Sequence, residues 1–250
     1  MTDSWIALRR FTQARIALGR VGHAVPTHVM LDFQLAHARA RDAVHYSWAI
    51  DAFAEQVRGL GEEVMILNTP VVSRDEYLRR PEFGRVLTDE SRTRLRNVTD
   101  GDVDVALIVT NGLSSTAVER HGISLLQAIV NSYQTRQFRI APVFLVANGR
   151  VALSDAIGSV IAAKAAVIVV GDRPGLSAAD SLGIYLTYAP KPENTDAQRN
   201  CISNIRPPEG LGYEAAAAKL LYLTTEAMRR GTSGVALKDE MAGSLSMEAR

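Results

Sequence analysis

From residue 64 onward the chain alternates between two textures. Short runs rich in branched apolar residues read as strands: "VMILNTPVV" (64–72), "VDVALIVTNG" (103–112), "APVFLVANG" (141–149), "AAVIVVGD" (165–172), "GIYLTYAP" (183–190) and "CISNI" (201–205). Several are continuous rather than alternating, which is the pattern of strands covered on both faces. Between them, "SRDEYLRR", "TDESRTRLRNV", "STAVERHGISLLQAIVNSYQ", "LSDAIGSVIAAK" and "YEAAAAKLLYLTTEAMRRG" read as helices, the last stopped by Gly231 after two arginines. Strands that alternate with helices predict an α/β fold with a doubly wound, mostly parallel, Rossmann-like sheet. Before residue 60 the spacing is helical throughout. "SWIALRRFTQARIAL" runs to Gly19 and Gly22, a second helix begins at Pro26 and continues through "THVMLDFQLAHARARDAV", and "YSWAIDAFAEQVRGLG" ends on glycines. The expected division is a helical N-terminal subdomain, residues 1–62, on an α/β domain, residues 63–250.

Charge and composition narrow the function classes. With 28 basic and 27 acidic side chains the net charge is +1, so no global field would hold DNA or an anionic membrane, and nucleic acid is not an expected partner. The most apolar window, residues 151–170, contains Asp155 and Lys164, which are costly in hydrocarbon, so it reads as a helix followed by a buried strand. The N-terminus, interrupted by Arg9, Arg10 and Arg15, lacks the apolar core of a signal peptide; a cytoplasmic protein is expected. A single cysteine, Cys201, can form neither an internal disulfide nor a Cys-rich zinc site. The five histidines fall outside the strand-end loops without an H-E-x-x-H pair, so no metal site is expected. Six arginines against Asp3 and Asp32 in residues 1–41 make either a solvated face or a docking surface.

In a parallel sheet, ligands collect outside the carboxyl ends of the strands. Three loops lie at that edge: "VTNGLSST" (109–116), "VANGRV" (146–151) and "VVGDRPGLS" (169–177). "GDRPG" presents Asp172 and Arg173 from a rigid turn, either as a local ion pair or as ligand contacts. "NGLSST" could cradle a phosphate at a helix start or simply cap that helix. Neither G-x-G-x-x-G nor a P-loop is present, which demotes dinucleotide and P-loop enzymes. A self-contained α/β enzyme acting on a nucleotide or phosphate ligand stays open as an alternative. Cys201 as a nucleophile needs a base with a group to orient it. The competing role is that of a small, buried, apolar residue with a weak S–H donor.

Five motifs taken together carry a resemblance: "LRRFTQARIALGRVGHAVPT", "YLRRPEFGRVL", "VTNGLSSTAV", "GDRPGLSAADSLGIYLTYAPK" and "RNCISNIRPPEGLGYEAAAAKLLYL". In this order they resemble the light chain (small subunit) of ethanolamine ammonia-lyase, over nearly all of residues 8–238. The resemblance implies an adenosylcobalamin-dependent lyase that turns ethanolamine into acetaldehyde and ammonia through a 5′-deoxyadenosyl radical. It implies a hetero-oligomer in which a heavy chain (large subunit) holds the substrate site and this chain closes over the cobalamin at their interface, supplying no catalytic residue. By motif, the cobalamin contacts fall on Val151, Asp172 and Cys201. The family pattern has glutamate in the glycine-flanked turn, one methylene longer than Asp172. The D-x-H-x-x-G signature of histidine-ligated corrinoids is missing, so the dimethylbenzimidazole base is expected to stay on cobalt. Some light chains carry an N-terminal extension associated with a bacterial microcompartment; seven residues precede Leu8 here, and a plain cytoplasmic complex fits at least as well.

Overall fold

The structure is a computed structural model that describes residues 5–98 and 102–241. Six strands form one mixed sheet: β1 (Val64–Leu67), β2 (Val105–Thr110), β3 (Val143–Val146), β4 (Ala165–Gly171), β5 (Leu182–Tyr188) and β6 (Arg199–Ile205). Their order is β1-β3-β2-β4-β5-β6. The first four run parallel, while β5 and β6 return antiparallel. Connection length explains the switch. A parallel return needs a crossover of a dozen or more residues, usually with a helix. Neither 172–181 nor 189–198 contains an α-helix, so each strand after β4 turns back beside its predecessor.

Helices cover both faces. On the first, α2 (Ile50–Gly59), α5 (Ser115–Thr135) and α7 (Tyr213–Arg230) pack Phe53, Leu125, Ile129, Leu220 and Leu223 onto Leu107, Val109, Val167 and Ile184. On the second, α4 (Asp89–Arg96) and α6 (Leu153–Val160) set Leu95, Leu153 and Ile157 against Ile108, Phe144 and Ile168. Crossovers that move in opposite directions along the sheet use opposite faces, as a uniform connection hand requires. The continuous apolar runs are accounted for: β2, β3 and β4 are buried at every position.

Local chemistry sets the helix starts. Ser73, Thr88 and Ser114 each accept a hydrogen bond at 3.2 Å from a backbone N–H of the turn they open, in α3 (Arg74–Arg79), α4 and α5. Gly231 ends α7 in the left-handed region, at φ 67°. The N-terminal segment departs from expectation. Its first helix shrinks to a 3-10 stretch, Ile6–Phe11, with no buried residue and no capping side chain, and a short helix without a packed face is marginal in water. The next, α1 (Thr27–His45), forms as predicted but buries only Ala43. Among the described residues no helix is long and apolar enough to cross a membrane.

Candidate functional site

The two faces differ over β5 and β6. α7 packs on both strands from the first side, while on the second side α6 reaches β2 and β4. Part of the sheet face is therefore left open beyond β4. Register sets the side chains there: Tyr185 pairs with Cys201 on the open part, and farther along Thr187 pairs with Arg199, both buried. A cavity of about 560 Å³ lies there, lined by Val151, Tyr185, Cys201 and Arg199 together with Arg85, Arg150 and Asn194.

Two of the three sequence-derived contacts, Val151 and Cys201, thus meet in one cavity although they are far apart in the chain. Val151 sits in the turn that leads into α6 and packs partly against the second-face core. Cys201 is exposed, which sets aside the reading of a small buried residue: β6 is an edge strand, and among the described residues α7 packs on its other face. Its thiol meets the Tyr185 hydroxyl, and burial of the sulfur side pushes the thiol up from its ordinary value. Tyr185 is pushed up as well, first by burial and then by Cys201. A raised thiol stays protonated near neutral pH and is a poor nucleophile.

Asp172, the third, follows β4, with its backbone N–H donating to the Ser181 carbonyl at 3.0 Å. Its carboxylate folds over Gly183 on β5. A Cβ at 183 would stand 2.8 Å from Oδ1, so the missing side chain makes the space that Asp172 fills. The expected local pair with Arg173 does not form among the described residues. Burial alone pushes the Asp172 carboxyl up to about 6, and its charge acts on both Tyr185 and Cys201. A half-buried carboxylate without a donor among the described residues is a group that a ligand N–H can satisfy.

Arg199 anchors the opposite end. It reaches into the protein and pairs with Asp155 of α6, both side chains almost fully buried, and with Asp196 at 2.7 Å. Burial raises Asp155, and Arg199 opposes that rise. The cavity wall is therefore fixed by an ion pair that the sequence did not reveal. Tyr185, Arg85, Arg150 and Asn194 were missed too, because only the antiparallel register and the docking of residues 83–85 bring them to Cys201.

The other candidates resolve into structural roles. Ser114 caps α5 and donates to the Ala179 carbonyl at 2.9 Å, and the Asn111 amide donates to Ser115 at 3.0 Å, so the "NGLSST" groups are already engaged. The crevice between the β2 and β3 loops is closed. Arg74 donates there to the Gly112 carbonyl and to Asn148, and Asn148 donates its N–H to Asn111 at 2.7 Å. Gly112 lies so close to β4 that a Cβ would come within 2.3 Å of Val170. Of the polar neighbours of Cys201, Asn200 ties down Gly234 and Leu237, and Asn204 accepts from Arg206. His121 is buried against Tyr213 and Asp180. No group of three or more His, Cys, Asp or Glu side chains able to hold a metal ion occurs among the described residues. A second cavity of about 580 Å³, between α1 and the 176–180 loop, has its Arg120 and Asp180 already paired at 2.8 Å.

Comparison with known proteins agrees with the motif resemblance. The profile of the ethanolamine ammonia-lyase light chain family matches residues 2–238. The chain is 49% identical over 241 residues to the ethanolamine ammonia-lyase small subunit of Pseudomonas syringae pv. tomato, covering 95% of this chain and 84% of that one. It is 50% identical over 241 residues to the small subunit of Azotobacter vinelandii, covering 95% and 89%. It is 50% identical over 240 residues to that of Ralstonia nicotianae, covering 95% and 88%. At this identity over nearly its whole length, the chain belongs to the ethanolamine ammonia-lyase light chain family.

Proposed function

We propose that this chain is the cofactor-closing subunit of a hetero-oligomeric ethanolamine ammonia-lyase, and that its open β5–β6 face lies against adenosylcobalamin at the boundary with the large subunit. The observation that carries the reading is that Val151, Tyr185 and Cys201 line one cavity over the β5–β6 face, with the Asp172 carboxylate folded over Gly183 next to it. A corrin ring is a broad apolar plate rimmed by amide side chains, and the face has matching parts. Val151 and Cys201 offer soft packing surface, the Asp172 carboxylate accepts amide N–H groups, and the Asn194 side chain can donate and accept. The residues lining the cavity would hold the ring by packing and by hydrogen bonds to its amides.

When bound, adenosylcobalamin supplies the radical chemistry. The residues of this chain bind, orient and exclude water. Tyr185 and Cys201 remain neutral at working pH and add no charge beside the ring, and the Arg199–Asp155 pair holds the cavity wall. A cytoplasmic complex fits this role. The test is reconstitution: lyase turnover is measured for this chain, for the large subunit, and for both together, each with adenosylcobalamin. Activity from the pair and none from this chain alone is expected. Turnover by the isolated chain, or full activity of the large subunit without it, would contradict the proposal.

A further inference from the structure

The motif "YLRRPEFGRVL" (77–87) has no part in the site as drawn so far, yet its end lies beside the cavity. The 3-10 turn Phe83–Arg85 docks on the loop after β3, with the Arg150 N–H donating to the Gly84 carbonyl at 2.7 Å. A Cβ at 84 would stand 2.7 Å from the Asn148 carbonyl oxygen and 3.0 Å from the Arg150 side chain, so only glycine permits this approach. The contact places Arg85 next to Arg150, and both line the same cavity as Val151 and Cys201. A neighbouring cavity of about 430 Å³ shares Arg85, Ala152 and Asn194 with it and extends to Arg92.

We propose that Arg85 and Arg150 form an anion seat at the rim of this cavity and take the phosphodiester of the cobalamin nucleotide tail, a deepening that rests on the cobalamin reading above. Neither arginine has a carboxylate within ion-pair distance among the described residues. The nearby acids are engaged elsewhere: Glu82 by Arg80, and Asp155 and Asp196 by Arg199. The Arg150 Cζ lies over the Tyr77 ring, 4.1 Å from its centroid, and its Nη2 donates to the Tyr77 carbonyl at 3.1 Å. A guanidinium held by a ring and a carbonyl but by no carboxylate, beside a second cation on an exposed stem, is an arrangement suited to phosphate. The corrin ring carries amides around its edge, and the one anionic group of the ligand is the phosphodiester.

The test compares two ligands on the purified complex of both subunits. Cyanocobalamin carries the phosphodiester; dicyanocobinamide lacks the phosphate, ribose and base. Equilibrium binding of each is followed by its visible spectrum, for the native complex, Arg85→Gln, Arg150→Gln and the double variant. The double variant is expected to lose at least about tenfold in cyanocobalamin affinity, with dicyanocobinamide affinity changed less than about twofold, and its salt dependence should flatten. Equal losses for both ligands, or no loss for cyanocobalamin, would overturn the seat. Because Arg85 is exposed, Arg85→Gln alone leaves the fold intact and must already show the ligand-selective loss. If the native complex binds neither corrinoid more tightly than the large subunit alone, the cobalamin reading falls and this inference falls with it.

Discussion

Acidifying the cofactor complex from pH 7 to pH 5 singles out Asp172. Burial raises its carboxyl from an ordinary 3.8 to about 6, with no hydrogen bond among the described residues to offset that cost. Because the folded value lies above the unfolded one, the folded state binds the extra proton, and the stability contributed by this group is lost as pH rises from about 4 through 6. Ligand binding runs the other way. A corrin amide that donates to the carboxylate favours the ionised form, so affinity is full above pH 6 and falls below it. If only the ionised form binds, the factor 1 + 10^(6 − pH) is about 11 at pH 5 and about 1.1 at pH 7, a weakening of about tenfold, or ~1.4 kcal/mol. Spectroscopic titration of the two-subunit complex with cyanocobalamin at both pH values measures it. Asp172→Asn, which keeps the size and loses the titration, should flatten the profile and raise the thermal stability of the free chain more at pH 7 than at pH 4. A flat profile in the native complex, or an unchanged slope in the variant, would refute the reasoning.

Other substitutions probe separate parts of the site. Cys201→Ala should weaken cobalamin affinity only a few-fold, since a soft contact is lost, and leave substantial turnover at saturating cofactor; complete loss with the complex intact would restore a chemical role for the thiol. Gly183→Ala puts a methyl 2.8 Å from the Asp172 carboxylate and should turn it away, so that affinity falls at pH 7 to the level of the native complex at pH 5 while urea unfolding changes little. Asp155→Ala leaves the buried Arg199 guanidinium without its main partner and should cost about 3–5 kcal/mol by urea denaturation. Replacing both Asp155 and Arg199 with leucine should recover most of that loss.

The parallel half of the fold was legible because β2, β3 and β4 are buried on both faces, and continuous runs such as "VALIVT" and "AAVIVV" admit little else. The antiparallel return of β5 and β6 was not read from the sequence: it follows from helix-free connections, a signal that the residues of those strands do not themselves carry. The same gap hid the site. Val151, Asp172 and Cys201 came from motif resemblance, whereas Tyr185 meets Cys201 through register, Arg199 reaches the cavity wall through a partner on α6, and Arg85 arrives through a glycine contact across the chain. In the N-terminal segment, periodicity predicted a helix that its packing does not support: residues 6–11 have the spacing but no face to bury.

The central claim is that the uncovered β5–β6 face lies against the cofactor. An electron cryo-microscopy map of the complex of both subunits with adenosylcobalamin tests it most directly. Corrin density packed on Val151, Tyr185 and Cys201, with an amide within hydrogen-bond distance of the Asp172 carboxylate, is the expected result. Corrin density held wholly by the large subunit, or seated in the crevice between Asn111 and Asn148, would contradict it.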